Sequence, residues 1–96
     1  MSDKKLYQEK LQAQLDGWKA DIDKLKSKAA EASADAKIEL QKQIDGLEGR
    51  LEEGKVKLAE LSDASHEAWE SLKEGAESVW ASIKTSFHDA KDKFKG

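Results

Sequence analysis

Apolar side chains recur along the first third of the chain at the spacing of a coiled coil. The steps between them alternate between four and three residues from position 11 to position 36. An apolar residue about every 3.5 positions stays on one side of a slightly underwound helix, and it needs a partner helix to cover it. We therefore predict a heptad segment over residues 11–36. Its apolar members are Leu11, Leu15, Trp18, Ile22, Leu25, Ala29, Ala32 and Ala36.

A second pattern, with a period of eleven residues, occupies residues 68–95. Trp69 is matched by Trp80, and Lys73 is matched by Lys84 and Lys95. Eleven residues make about three helical turns, so the apolar members form one stripe with lysines along an edge. Such a stripe packs on protein or lies on a lipid surface, and packing is favoured because acidic residues on the polar face weaken attraction to anionic lipid. The residues predicted for packing or for a lipid face are Trp69, Leu72, Ala76, Trp80, Ile83, Phe87 and Phe94.

The absence of proline favours long helices over loops. The sequence of 96 residues has none, whereas average usage of about 5% predicts about five. Three regions could hold a turn. Ser62–His66 is rich in residues that cap helices, and we place the main turn there. Folding at Gly46–Gly54 is the competing topology, which would bring Trp18 near Trp80. Residues 33–35 lie in an Ala-rich stretch that favours a continuous helix.

These patterns predict an all-α fold and a single helical coiled-coil domain over residues 1–96. A long helix over about 3–61 and a shorter C-terminal helix over about 67–94 would form an antiparallel coiled-coil hairpin. The second helix then covers the first only over residues 34–61. The uncovered heptads predict a homo-oligomer of two to four chains, or docking onto another helical protein. The predicted oligomer interface consists of Leu11, Leu15, Trp18, Ile22 and Leu25.

Charge and residue usage argue against several classes of function. The 17 Lys and Arg are interspersed with 20 Asp and Glu, so a nucleic-acid partner is not expected. The chain has no cysteine, and neither His66 nor His88 has a second ligand at helical spacing that completes a recognisable site, so we expect no metal site and no cofactor. A thin helical seam offers no cavity in which an acid–base pair could be tuned, so we expect no catalytic residues and no enzyme activity. Without an apolar leader or membrane span, a cytoplasmic location is expected.

Two segments resemble a family of small bacterial coiled-coil stress-response proteins. They are residues 1–15, which read MSDKKLYQEKLQAQL, and residues 68–73, which read AWESLK and contain the Ala-Trp motif. The resemblance extends over the whole chain. It implies a long polar helix, a short break before the Ala-Trp motif and a shorter C-terminal helix. Gly46, Gly49 and Gly54 depart from that pattern, because they lie inside the expected long helix. The resemblance implies a role in stress response and no reaction.

The first hypothesis for function is a non-enzymatic structural or interaction protein that acts through helical self-assembly. The alternative is a peripheral lipid-surface protein that uses the eleven-residue stripe as its membrane contact.

Overall fold

The computed structural model describes residues 2–95, with side chains over residues 3–94, and this part of the chain forms three α-helices. Helix α1 is Ser2–Glu31, α2 is Ala34–Asp63 and α3 is His66–Lys95, each of 30 residues. The described residues contain no β-strand. The predicted all-α class is therefore confirmed, but the helices number three where the sequence predicted two.

The three helices form an elongated bundle in which α2 runs antiparallel to both of its neighbours. Lys26 of α1 pairs with Glu48 of α2, and Lys91 of α3 reaches Asp21 of α1. The bundle measures 51 × 18 × 18 Å, and a 30-residue helix is about 45 Å long. Each helix therefore runs the full length of the molecule. Helix α2 lies closely against α1 and α3, whereas α1 and α3 lie less closely against each other.

The first turn corrects the prediction of one helix over residues 3–61. Helix α1 ends at Glu31 and α2 begins at Ala34, because Ser33 adopts an extended conformation with φ −63° and ψ 162°. The Ala-rich surroundings favour continuity, but propensity differences amount to only tenths of a kcal/mol per residue. Folding back covers the heptad segment of α1 with α2, and each large aliphatic side chain buried in this way contributes about 1.5–3 kcal/mol. Tertiary burial therefore outweighs local propensity at Ser33.

Helix α2 continues without a break through all three of its glycines, so the competing turn at residues 46–54 is not adopted. Space is open around Gly46 and Gly49, where an added Cβ would meet no atom within 4 Å. Gly54 is buried, and its added Cβ would lie 2.8 Å from Leu15 Cδ2 and 3.0 Å from Ile83 Cδ1. Gly54 thus permits α1 and α3 to approach α2 near the middle of the bundle, so its cost in helix propensity has a packing reason.

The second turn lies where the sequence predicts it. Helix α2 ends at Asp63 and α3 begins at His66. Ser65 starts α3, since its hydroxyl oxygen accepts a hydrogen bond from the Ala68 N–H at 3.2 Å and its carbonyl accepts one from the Trp69 N–H at 3.0 Å. A serine at this position satisfies a backbone N–H that the first helical turn leaves unpaired.

One core runs along the bundle axis, and both sequence patterns contribute to it. The heptad segment supplies the side chains from α1, and the eleven-residue pattern supplies those from α3. The buried core consists of Leu11, Leu15, Ile22, Leu25 and Ala29 from α1, Ile44, Leu47, Leu51, Leu58 and Leu61 from α2, and Trp69, Ala76, Trp80, Ile83, Phe87 and Ala90 from α3.

Candidate interaction surface

The surface predicted to join separate chains lies inside a single chain in this structure. Leu11, Leu15 and Ile22 are each 3% exposed, and Leu25 is 4% exposed. Trp18 is half-buried and packs against the same core. These residues are covered because the turn at Ser33 supplies α2 as a partner, and α3 completes the cover. The uncovered heptads that motivated the prediction of an oligomer are therefore absent from the folded chain.

Most of the residues predicted for packing or for a lipid face also point into the bundle. Trp69, Ala76, Trp80, Ile83 and Phe87 are buried. Leu72 and Phe94 are partly buried and pack against the same core. In the closed bundle this face therefore packs on protein, and only its edges reach solvent.

Aromatic rings join α1 to α3, and we call this line of contact the aromatic seam. At its centre Trp18 stacks on Phe87, with ring centroids 5.6 Å apart and an interplanar angle of 21°. Trp18 also contacts Trp80 at 6.3 Å. The competing topology predicted that Trp18 and Trp80 would be neighbours; here they meet because α1 and α3 run parallel. Large rings reach across the wider separation between these two helices.

At the end of the aromatic seam near the starts of α1 and α3, the rings of Tyr7 and Trp69 pack edge to face with their centroids 5.6 Å apart. The Lys73 ammonium lies 5.1 Å from the Tyr7 ring and 5.4 Å from the Trp69 ring, and Lys4 lies 5.9 Å from Trp69. A cation over an aromatic face gains electrostatic stabilisation. Partial burial, and secondly the nearby negative charge of Glu77, raise the pKa of the Tyr7 hydroxyl above its usual value of 10.0.

Beyond Trp18, the space between α1 and α3 opens into a groove, which we call the basic groove. Two adjoining depressions of about 480 and 250 Å³ share Lys91 as a lining residue. The floor is apolar and includes Trp18, Leu25, Phe87 and Phe94. The rim carries Lys24, Lys28, Lys84 and Lys91, with Asp21 as the acidic residue and Thr85 and His88 as the other polar ones.

The charge of the basic groove differs from that of the whole chain, whose formal net charge is −3. Four lysines face one aspartate there. Asp21 forms an ion pair with one of these lysines, since its carboxylate lies 3.3 Å from Lys91 Nζ. His88, on the rim, lies 3.8 Å from Asp92. A positive surface over an apolar floor attracts groups that combine negative charge with hydrocarbon.

The other two grooves of the bundle lack this combination. The groove between α1 and α2 is balanced, because Lys19, Lys26 and Lys55 alternate with Asp23, Glu48 and Glu52 around Ile22 and Leu51. A depression in the groove between α2 and α3 carries Lys42, Arg50 and Lys93 against Asp89. Its remaining lining residues are Gln43, Gly46 and Ser86, so none of its described lining residues is a large apolar one. Only the basic groove, among these three, joins excess positive charge to aromatic rings.

The described residues hold no cluster of side chains suited to metal binding. No group of three or more His, Asp or Glu side chains within residues 3–94 could hold a metal ion. His66 and His88 are exposed. The Nε1 atoms of Trp69 and Trp80 are buried without a hydrogen-bond partner in the described structure, which is a cost of placing indoles in a narrow core. None of the described helices is long and apolar enough to span a bilayer.

Sequence reasoning found half of the basic groove. The lysine edge of the eleven-residue stripe indicated Lys84, and the stripe itself indicated Phe87 and Phe94. The sequence patterns did not indicate Lys24 and Lys28, because their position beside α3 depends on the turn at Ser33. No pattern within α1 distinguishes them from its other lysines.

In comparisons with known proteins, no family model matches the chain, and no curated protein or solved structure gives a significant match.

Proposed function

We propose that this protein is a non-enzymatic interaction protein that binds anionic lipid surfaces through the basic groove. The observation that carries the proposal is the coincidence of four lysines with a floor of aromatic and aliphatic side chains, including half-buried Trp18 and Phe94. Lysines near an anionic membrane contribute about 1 kcal/mol each. Indole and phenyl rings favour the headgroup boundary, where they remove apolar surface from water.

The geometry allows the rim and the floor to act together. Long lysine stems extend along apolar surface while their ammonium groups reach outward to lipid phosphates. Lys84 and Lys91 extend from α3, and Lys24 and Lys28 extend from α1, so both sides of the groove carry positive charge. The acidic residues on the remaining surface limit binding elsewhere and give the bundle one preferred orientation on a membrane.

Vesicle co-flotation tests the proposal. The chain should bind vesicles that contain phosphatidylglycerol and should not bind vesicles of phosphatidylcholine alone. Added salt should weaken binding, because screening acts on exposed charges. A chain in which Trp69 and Trp80 are replaced by Phe retains Trp18 as its only tryptophan, and its emission should shift to the blue on binding. A chain that does not bind vesicles containing phosphatidylglycerol would reject the proposal.

A matched pair of triple variants separates the basic groove from general charge. Replacing Lys24, Lys28 and Lys84 with Gln removes three positive charges from the basic groove, and should weaken binding by roughly 100-fold at about 1 kcal/mol per lysine. Replacing Lys42, Arg50 and Lys93 with Gln removes three charges from the α2/α3 groove and should have little effect. Equal losses in both variants would show that net charge alone governs binding.

A second candidate function is self-association, with two to four chains or another helical protein as partners. The observation that favours it is the link between α1 and α2, which consists of Ala32 and Ser33 alone. Short connections between helices with compatible heptads permit exchange of a helix between chains. Sedimentation equilibrium over a range of concentrations tests this candidate, and a monomer at every concentration would exclude it.

The proposed location is the cytoplasm. The chain has no cysteine, so it forms no disulfide that would require an oxidising compartment. A role in stress response belongs to the same proposal and rests on the sequence resemblance. Expression with a fluorescent tag, with and without a membrane or osmotic stress, tests both the location and any redistribution to the membrane.

A further inference from the structure

The link between α1 and α2 is a bend in a sequence that otherwise supports one helix. The heptad steps continue through it, from Ala29 to Ala32 and Ala36. Ala32 is half-exposed and Ala36 is exposed in the folded chain, so the seam is interrupted only where the chain turns. The Ser33 side chain makes no capping hydrogen bond to α2. Few interactions therefore hold the bend itself.

We propose that two copies of this chain exchange α1 by straightening the Ala32–Ser33 link, which makes residues 2–63 one continuous helix in each copy. This inference rests on the self-association proposed above and gives it a geometry. In the exchanged dimer, α1 of each copy packs on α2 and α3 of the other through the contacts seen within one chain. The basic groove is then built from α1 of one copy and α3 of its partner.

In the exchanged dimer, the register of α1 against α2 places the Ala32–Ser33 link of one copy near that of the other. Lys26 pairs with Glu48, and Leu15 lies beside Gly54, so the two helices run antiparallel about a centre near residue 36. In the dimer, two continuous helices cross the symmetry axis at that residue. Ala36 of each copy then lies near the axis opposite Ala36 of the other, and Ala32 lies near Leu40, so small side chains at the crossing let the helices approach closely.

Helix α3 leaves room for this arrangement. Phe94, near its end, lies level with Lys28 of α1, since both line the same depression. The symmetry axis lies further along by about two helical turns, so the ends of the two α3 helices remain about 20 Å apart along the bundle.

The energetic balance depends on concentration. Each copy keeps its core contacts and gains the backbone hydrogen bonds that the bend leaves open at the end of α1 and the start of α2. The opposing term is the loss of independent motion on association, which high concentration reduces. Short connecting loops favour exchange for this reason, because straightening relieves the turn without removing any core contact.

A single substitution distinguishes the two forms of the chain. Ala34 is the first residue of α2, a position where proline is accepted because the backbone N–H has no partner in the helix. Proline also suits the extended Ser33 that precedes it, with φ −63° and ψ 162°. In the continuous helix, residue 34 is interior. The exchanged dimer would hold one such proline in the helix of each copy, and the two together should lower the dimerisation constant by roughly 10⁴-fold.

The experiment compares the unmodified chain with Ala34→Pro and Ser33→Ala after heating and slow cooling at millimolar concentration, with the mass measured by light scattering after size exclusion. The unmodified chain should yield a dimer fraction. Ala34→Pro should remain monomeric with an unchanged helix content, and Ser33→Ala should raise the dimerisation constant roughly fivefold, because alanine is the better helix former. A dimer of Ala34→Pro as abundant as that of the unmodified chain would overturn the proposal.

A distance measurement keeps the test independent of the proline variant. Lys19 and Glu52 line the same α1/α2 groove, and the chain has no cysteine, so Lys19→Cys and Glu52→Cys accept spin labels selectively. In the continuous helix the two sites are about 50 Å apart. Dimers diluted with unlabelled chains should show this long distance, and monomers a short one. A dimer that keeps the short distance would leave self-association standing and reject the exchange; a chain that never dimerises would reject both.

Discussion

The contacts of α2 with its two neighbours and the contacts of the aromatic seam use different side chains, although both belong to the same core. Along α2 the contacts are close and largely aliphatic, and Gly54 removes a side chain where Leu15 and Ile83 meet beside the edge of Trp80. Along the aromatic seam, Trp18, Trp80 and Phe87 span a wider separation between α1 and α3. Close aliphatic packing fixes the positions of the helices, whereas the wider seam leaves the basic groove at one end.

The largest expected effect on stability concerns the closely packed side chains beside α2. Ile83 is fully buried, so Ile83→Ala should lower the free energy of unfolding by about 3–4 kcal/mol through lost burial and a residual cavity. Trp18→Ala, on the aromatic seam, should cost roughly half as much, because the ring is only partly removed from water. Urea denaturation followed by circular dichroism measures both. A greater loss from Trp18 than from Ile83 would reverse the comparison.

Two glycines of α2 provide a smaller and sharper test. Gly49→Ala should stabilise the protein by about 1 kcal/mol, because alanine is the better helix former and space around Gly49 is open. Gly54→Ala gains the same propensity, but its Cβ displaces the buried Leu15 and Ile83 methyl groups, a cost of about 1–3 kcal/mol. Its net effect should be neutral or destabilising. Equal stabilisation in thermal denaturation would mean that α1 and α3 do not approach α2 closely at Gly54.

The smallest effect concerns Tyr7, at the end of the aromatic seam opposite the basic groove. Its raised pKa means that the folded state prefers the neutral hydroxyl. The resulting stabilisation is present below the unfolded pKa near 10 and is lost as the pH rises through the folded pKa. Tyr7 is the only tyrosine, so the phenolate absorbance reports it alone. Its midpoint should lie above 10.0, and Glu77→Gln should lower that midpoint; a midpoint at or below 10.0 would place Tyr7 in solvent.

Much of the core could be predicted from spacing, because helix geometry fixes which side chains share a face. Leu11, Leu15, Ile22 and Leu25 followed from the heptad steps, and Trp69, Trp80 and Ile83 followed from the eleven-residue period. The turn near Ser65 followed from clustered capping residues. The turn at Ser33 could not be predicted in this way, since the local sequence favours helix and the opposing term is burial of distant residues.

The sequence by itself therefore determined that the chain is helical, which side chains form its apolar faces, and where one of its two turns lies. Each of these depends on interactions within a few residues. Only the tertiary structure decided that α1 folds back on α2, that the heptad segment is covered within one chain, and that Lys24 and Lys28 join Lys84 and Lys91 around one groove. Those outcomes depend on which helices become neighbours, and local propensities of tenths of a kcal/mol are too small to decide that against the burial of an entire helical face.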